Sequence, residues 1–366
     1  MPSAENLVRE AERQLVICNA CRYCEGYCPV FPAVEARREF TRGDVFYLAN
    51  LCHDCRACYY ACMYAPPHPF GVNLPQVLSE ARLESYQAWC WPKGLNQAFS
   101  NWRVGLALAA ATCTLVLGSM FVLVPAAQVT ARHVGPGAFY AVIPFLTLLA
   151  ATLMVSAYAL VVCLLGAARF WIETGSEFKN RSLAGAWRHT MADILQFRWL
   201  RGGGPGCYYP KQTPSAARRV YHALVFYGFL TALLSTTVAA IYQHGLDELP
   251  PYALTSAPVL LGTIGGLAMI IGVSGLIAIK IRSDREPADT QAFGMDYLFL
   301  ILLGLCSLSG VLTLVFRATT AMGWLLAIHL ALTAALFVSV PYGKFVHAIY
   351  RSLAILRYRL EQSGRY

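Results

Sequence analysis

The chain has 366 residues, of which 57% are hydrophobic and 13% charged, and it carries a net charge of +9. So apolar a composition excludes an ordinary soluble domain and a disordered chain. Eight of its thirteen cysteines fall before residue 63, so they form a site rather than scattered packing residues.

The opening stretch "MPSAENLVREAERQL" reads as a short polar helix, with Ser3 as its N-cap and Leu7, Ala11 and Leu15 on one face. It is not a signal peptide, so the N-terminal region is expected to stay in the cytoplasm. A reducing compartment argues against a disulfide framework for the cysteines that follow.

Those cysteines come as "ICNACRYCEGYCPVFP" and, 34 residues on, "LCHDCRACYYACMY". Both runs have the spacing C-x2-C-x2-C-x3-C, which is the ferredoxin pattern for a 4Fe–4S cluster. Three closely spaced thiolates wrap one cube and the fourth reaches the neighbouring one. On that logic Cys18, Cys21, Cys24 and Cys62 hold one cluster, and Cys52, Cys55, Cys58 and Cys28 hold the other. Pro29 follows the first run as the pattern expects, whereas Met63 follows the second. Zinc, which prefers two CxxC pairs and a longer loop, is the alternative. Cys90, Cys113, Cys163, Cys207 and Cys306 are isolated and read as packing residues. No nucleophile or acid–base pair accompanies the runs. Residues 1–95 are therefore expected to be a two-cluster domain that conducts electrons, tied closely to the membrane by "QAWCWPKGLNQAFSNW", whose Trp89, Trp91 and Trp102 suit an interface.

From residue 96 to 350 the chain reads as a transmembrane domain. Six segments, roughly 103–124, 138–168, 220–242, 258–280, 295–317 and 321–346, reach the ~20 apolar residues that cross a bilayer. With the N-terminus inside, 27 of the 29 Lys and Arg fall on inner segments and only Arg132 and Arg317 on outer ones. This places both termini, the loop 169–219 and the tail 351–366 in the cytoplasm. It also accounts for most of the positive charge without nucleic acid. The glycines at 202, 203, 204 and 206 follow no strand and read as a turn rather than a phosphate cradle, one that could pack the loop against the cluster domain. Gly262 and Gly266 are expected to let helices approach closely.

Four histidines sit near span ends. His222 and His244 are 22 residues apart on the third span, about 6.1 turns; His329 and His347 are 18 apart on the sixth, about 5.0 turns. Each pair shares a face and the helices are antiparallel, so His222 meets the depth of His347, and His244 approaches that of His329. Their axial spans of about 33 and 27 Å differ somewhat. Paired imidazoles on facing helices hold b-type haem. The reading is an inner haem at His222 and His347 and an outer one at His244 and His329, with at least one bound. Arg218, Arg219 and Lys344 are candidate contacts to propionates of the inner haem.

The tandem runs, the six spans and the segments "LRGGGPGCYYP", "YHALVFYGFL" and "PYGKFVHAIYR" together resemble the tricarballylate-utilisation protein B family, also called citrate-utilisation protein B. The resemblance spans nearly the whole chain. It implies a partner, a separate FAD-dependent dehydrogenase that oxidises tricarballylate to cis-aconitate, and quinone as acceptor. This chain shows no flavin domain of its own, so it is an oxidoreductase only with that partner. The fold class expected is mostly α: a small ferredoxin-like two-cluster domain followed by a six-helix bundle in the cytoplasmic membrane. A redox sensor is the alternative. A citrate or tricarballylate transporter fits less well, because the spans carry no acid at mid-depth.

Overall fold

The computed structural model describes residues 4–175, 182–287 and 290–363. Ser3, the expected cap, lies outside them, as do residues 176–181 of the long inner loop and 364–366 of the tail.

Five helices build the N-terminal region: α1 (Ala4–Cys21), α2 (Val30–Glu35), α3 (Arg42–Leu51), α4 (Ala57–Tyr60) and α5 (Leu74–Trp89). The stripe Leu7, Ala11, Leu15 of α1 is buried. Every residue of α3 from Val45 to Leu51 is buried. A helix apolar on all sides belongs at the centre of its unit. Its start is fixed by a capping box, in which Asp44 N–H donates to Thr41 Oγ1 and Thr41 N–H donates back to the Asp44 carboxylate, both at 3.2 Å. Such a cap contributes about 1 kcal/mol.

Beyond the short α6 (Leu95–Ser100) run α7 (Trp102–Leu123), α8 (Ala126–Thr130), α9 (Ala138–Val142), α10 (Phe145–Thr174) and α11 (Leu183–Leu195). A two-residue antiparallel ribbon, β1 (Cys207–Tyr208) with β2 (Pro214–Ser215), leads into α12 (Ala217–Gly245). Then come α13 (Ala257–Ile281), α14 (Thr290–Val315), α15 (Met322–Ser339) and α16 (Val346–Gln362). Six of these, α7, α10, α12, α13, α14 and α15, are long and apolar enough to cross a membrane. Their outward leucines, isoleucines and valines are exposed, as lipid-facing side chains are.

Two expected spans break at prolines. The second divides at Pro144 into α9 and α10. The sixth, expected to run unbroken over 321–346, stops at Ser339. Pro341 has no N–H for the ladder and its ring clashes with the preceding turn. The chain turns instead, with Gly343 N–H donating to Ser339 O at 2.7 Å, and resumes at Val346. His347 therefore belongs to the first turn of α16, and the count of helical turns between His329 and His347 does not hold.

α12 and α13 cross closely. A Cβ on Gly265 would stand 2.7 Å from Gly228 O, and one on Gly228 would stand 2.8 Å from Gly265 O, so the backbones touch. The expected pair divides between two neighbours: Gly262 faces Ser235 of α12 and Gly266 faces Val311 of α14.

The N-terminal core does not end at residue 95. Val346, Tyr350, Ala354 and Ile355 of α16, with Phe170 of α10 and Met295 of α14, join α1, α3 and α5 in one apolar cluster. The expected tail is thus the clamp of the cluster domain. Glu361 near its end takes Arg37 at 2.5 Å, Tyr47 Oη at 3.1 Å and Arg357 at 3.1 Å. Trp89, expected at the interface, is 1% exposed among Phe46, Phe170 and Tyr350 and donates to Glu173 at 2.6 Å. Trp91 and Trp102 are exposed.

Candidate functional site

Cys18 and Cys21 share a face of the last turn of α1, three residues apart. Arg22, in the left-handed region at φ 56°, turns the chain so that Cys24 comes back to them. Cys62, just beyond α4, joins the group: a pocket of about 30 Å³ is lined by Cys18, Cys21, Cys24 and Cys62, and also by Cys58 of the second run. Cys28 has left that group. The chain carries it to the start of α2, beside Cys55, Cys52 and Cys58, with which it interacts. Asp54 at φ 51° and Arg56 at φ 62° curl the second run as Arg22 curls the first. Cys24 also acts on Cys58, so the two groups of thiols are neighbours.

Five of these thiols, Cys18, Cys24, Cys28, Cys55 and Cys58, resist ionisation. Burial, then the neighbouring sulfurs of Cys62, Cys24 and Cys21, push Cys18 up to about 12. Burial and the same kind of repulsion push Cys24 and Cys55 to about 12 and hold Cys28 and Cys58 well above the ordinary range. Thiolates here need a cationic centre among them. Among the described residues, no three His, Cys, Asp or Glu side chains close on a point that one metal ion could occupy. Zinc would need its ligands about 2.0–2.3 Å from one centre.

The two sites face opposite ways. Tyr23 and Met63, beside the first, are exposed, and so is Arg22. Arg56, in the matching position of the second run, is 1% exposed; it donates to Asp284 O at 2.8 Å and stacks on Tyr209 at 4.2 Å. The second site is therefore docked against the membrane bundle. The glycine turn seals it from the side: Gly203, at φ +85°, lies against Tyr27, and Tyr208 N–H donates to Cys55 O at 2.9 Å.

Behind the second site opens a cavity of about 400 Å³, bounded by α12, α14, α16 and the segment after α11. His222 and His347 face each other across it, with ring centres 6.2 Å apart and planes at 87°. With metal–imidazole bonds of about 2 Å, two imidazoles on opposite sides of one metal have ring centres roughly 6 Å apart. His347 Nδ1–H donates to Lys344 O at 2.5 Å, which leaves Nε2 for a metal. Burial, then Arg351 and Lys344, hold the His347 imidazole neutral, well below its usual range. His222 Nδ1 is buried without a partner. A neutral buried imidazole opposite an unpartnered one, over an apolar slot lined by Phe226, Phe229, Phe299 and Phe345, fits a flat metal cofactor.

Residues 100–366 match the citrate utilization protein B family, and residues 11–88 match that family's Fer4-like domain. The chain is 38% identical over 359 residues to citrate utilization protein B of Escherichia coli, covering 96% of this chain and 92% of the relative. This chain belongs to the citrate utilization protein B family. No solved structure matches it. It is a membrane protein with an iron–sulfur, Fer4-like domain.

Within this citrate utilization protein B member, the other expected site residues separate. His244 is exposed at the end of α12, with its ring 5.8 Å from Phe145. His329 turns into α14, where its Nδ1 meets Ser309 Oγ at 3.0 Å and Cys306 O at 3.2 Å. Among the described residues no contact joins His244 to His329. Arg218 and Lys344 line the cavity. Arg219 does not: one position along the helix, it faces away and donates to Gln196 O at 3.0 Å. Lys344 and Lys280 pair with Asp296, at 2.7 and 2.5 Å.

Sequence reasoning missed His53, Arg82 and Arg351, all of which line the cavity. A signal for Arg351 was present. Arg218–His222 and His347–Arg351 are each four residues apart, so each helix presents an arginine and a histidine on one face. Cys207, expected as packing, is buried beside Cys55 and Tyr209.

Proposed function

We propose that this protein is a membrane electron carrier. It takes electrons from a reduced FAD-dependent dehydrogenase of the tricarballylate-oxidising type and delivers them to membrane quinone. Two 4Fe–4S clusters and a b-type haem would supply one-electron storage along that line. Cys18, Cys21, Cys24 and Cys62 would hold the outer-facing cluster, and Cys28, Cys52, Cys55 and Cys58 the docked one. His222 and His347 would hold the haem from its two faces. Arg218 and Lys344 border the same cavity with cationic groups suited to carboxylates.

One observation carries this reading. Cys52 O, in the second cysteine run, accepts from Arg351 at 2.9 Å, and Arg351 stands one helical turn from His347. The docked cysteine site and the histidine pair are thus joined through one side chain and one turn of helix. A dehydrogenase reaching the exposed first site would be separated from the histidines by both cysteine sites in series. The test is a redox titration of the purified protein followed by EPR and optical absorption. Two cluster signals and a reduced b-type spectrum are expected. Zinc without acid-labile sulfide would refute the reading.

On the same reading both termini lie in the cytoplasm. This orientation is supported by the split of basic residues and by the way the connections with few charges meet at one end. There Arg132 donates to Ala318 O at 2.8 Å, Arg317 to Tyr252 O at 2.6 Å and Gly137 N–H to Pro250 O at 2.7 Å. A reporter active only in the periplasm, fused after Tyr366, should stay silent; a signal from it would reverse the orientation.

A further inference from the structure

Three arginines from three separate helices converge on one loop. Arg82 of α5 donates to Ala49 O at 2.8 Å and to Cys52 O at 2.7 Å. Arg351 of α16 donates to Asn50 O at 3.4 Å and to the same Cys52 O at 2.9 Å. Arg218 of α12 donates to His53 O at 2.9 Å and to Asp54 O at 2.6 Å. All of these acceptors are backbone carbonyls, which are neutral, so the contacts cancel none of the three charges. The one carboxylate of the loop, Asp54, stands 3.7 Å from a fourth guanidinium, Arg56.

Among the described residues, no arginine lines the pocket of the first cysteine site. Its pocket is lined by Ile17, Tyr23, Phe31, Met63, Tyr64 and Val72 beside the cysteines, with no cation. The two sites share one ligand pattern, so the difference lies in what encloses them.

We propose that Arg82, Arg218 and Arg351 form a cationic cage that raises the reduction potential of the cluster at Cys28, Cys52, Cys55 and Cys58 above that of the cluster at Cys18, Cys21, Cys24 and Cys62. The proposal rests on the reading of both sites as iron–sulfur clusters. The effect is electrostatic. A cube bound by four thiolates is anionic, and reduction adds one more negative charge. Fixed positive charge in a low-dielectric site favours the reduced form. Net charge and hydrogen bonding around a cluster set its potential over a wide range. An electron arriving at the exposed cluster then moves downhill to the docked one, toward His347, and the cage gives the pair of clusters its direction. Arg82, Arg218 and Arg351 act through the cluster's field and are positioning residues.

The experiment is an EPR redox titration of the full-length protein in detergent, with the first cluster's signal identified by its alteration in Cys24→Ser. In the unmodified protein the docked cluster should become reduced at the higher potential. Arg351→Gln keeps an amide donor for the Cys52 carbonyl and removes the charge. It should lower the docked cluster's reduction constant about tenfold or more, about 59 mV for a one-electron couple, and leave the first cluster in place. Arg82→Gln, on a helix outside the membrane, should do the same, so the outcome does not depend on one variant folding. Arg351→Lys should stay close to the unmodified value. A docked cluster at or below the potential of the first, unshifted Gln variants, or equal shifts in Gln and Lys variants would overturn the cage. Absence of any cluster signal in the unmodified protein would instead remove the reading on which the cage rests.

Discussion

Replacing His347 with alanine should remove the haem proposed to lie between it and His222 and reduce quinone reduction by more than about 100-fold, while both cysteine sites still reduce. His347 is the better of the two histidines to test because its posture is already that of a ligand. Its Nδ1–H is held by Lys344 O at 2.5 Å, so the ring cannot turn away from the cavity without losing that bond. His222 lies 6.2 Å across from it, ring centre to ring centre. Alanine at 347 would leave only His222 to hold a haem at this cavity. The measurements are pyridine haemochrome content per protein, quinone reductase activity with reduced partner, and dithionite-reduced EPR as the control for the clusters. His329→Ala is the contrast. Its imidazole is engaged by Ser309 and Cys306 rather than by the cavity, so haem content should not change. Full haem and full activity in His347→Ala would remove the histidine pair from the function. Loss of half the haem in each variant would establish a second haem that uses His329.

Replacing Cys28 with serine should destroy the cluster whose other ligands are Cys52, Cys55 and Cys58, and spare the cluster next to Cys28 in sequence. Iron and acid-labile sulfide should fall to about half. The remaining EPR signal should keep the g-values altered by Cys24→Ser. The reason is the path of the chain. Between Cys24 and Cys28 the backbone crosses from the pocket of Cys18, Cys21, Cys24 and Cys62 to the start of α2, where burial and the sulfurs of Cys55 and Cys52 act on Cys28. Cys62→Ser is the reciprocal variant and should spare the docked cluster. If Cys28→Ser instead removes the cluster at Cys18, Cys21 and Cys24, each run holds its own cluster and the crossing is wrong.

Much of this architecture is legible in the amino-acid sequence. Cysteine spacing is a covalent property: C-x2-C-x2-C brings three thiols together through local turns alone, and the fold gathers them so. Span number follows from runs of apolar residues, which lipid requires whatever the packing, and six such helices form. The break after Ser339 is also written in the chain, as Pro341 within an apolar run. Hydropathy continues across that proline while the backbone does not, so apolar length alone passes over it. Helical depth sets His222 and His347 at one level, and their rings stand 6.2 Å apart; the turn count does not carry to His329, which shares no helix with His347.

What the sequence by itself determined is the inventory: eight ligand-type thiols in two runs of one spacing, six membrane helices and two histidines able to meet. Tertiary structure alone decided which cysteine run is docked and which is exposed, because Arg22 and Arg56 occupy the same place in runs of identical spacing and differ only in what lies against them. It also decided that α16 is a clamp rather than a tail. Its stripe of Tyr350, Ala354 and Ile355 is a local pattern whose partner, the α3–α5 face, lies some 270 residues earlier in the chain. The same separation hid the arginine cage. Arg82, Arg218 and Arg351 are ordinary basic residues in three distant segments, and their convergence on Cys52 and its neighbours is a property of the closed chain.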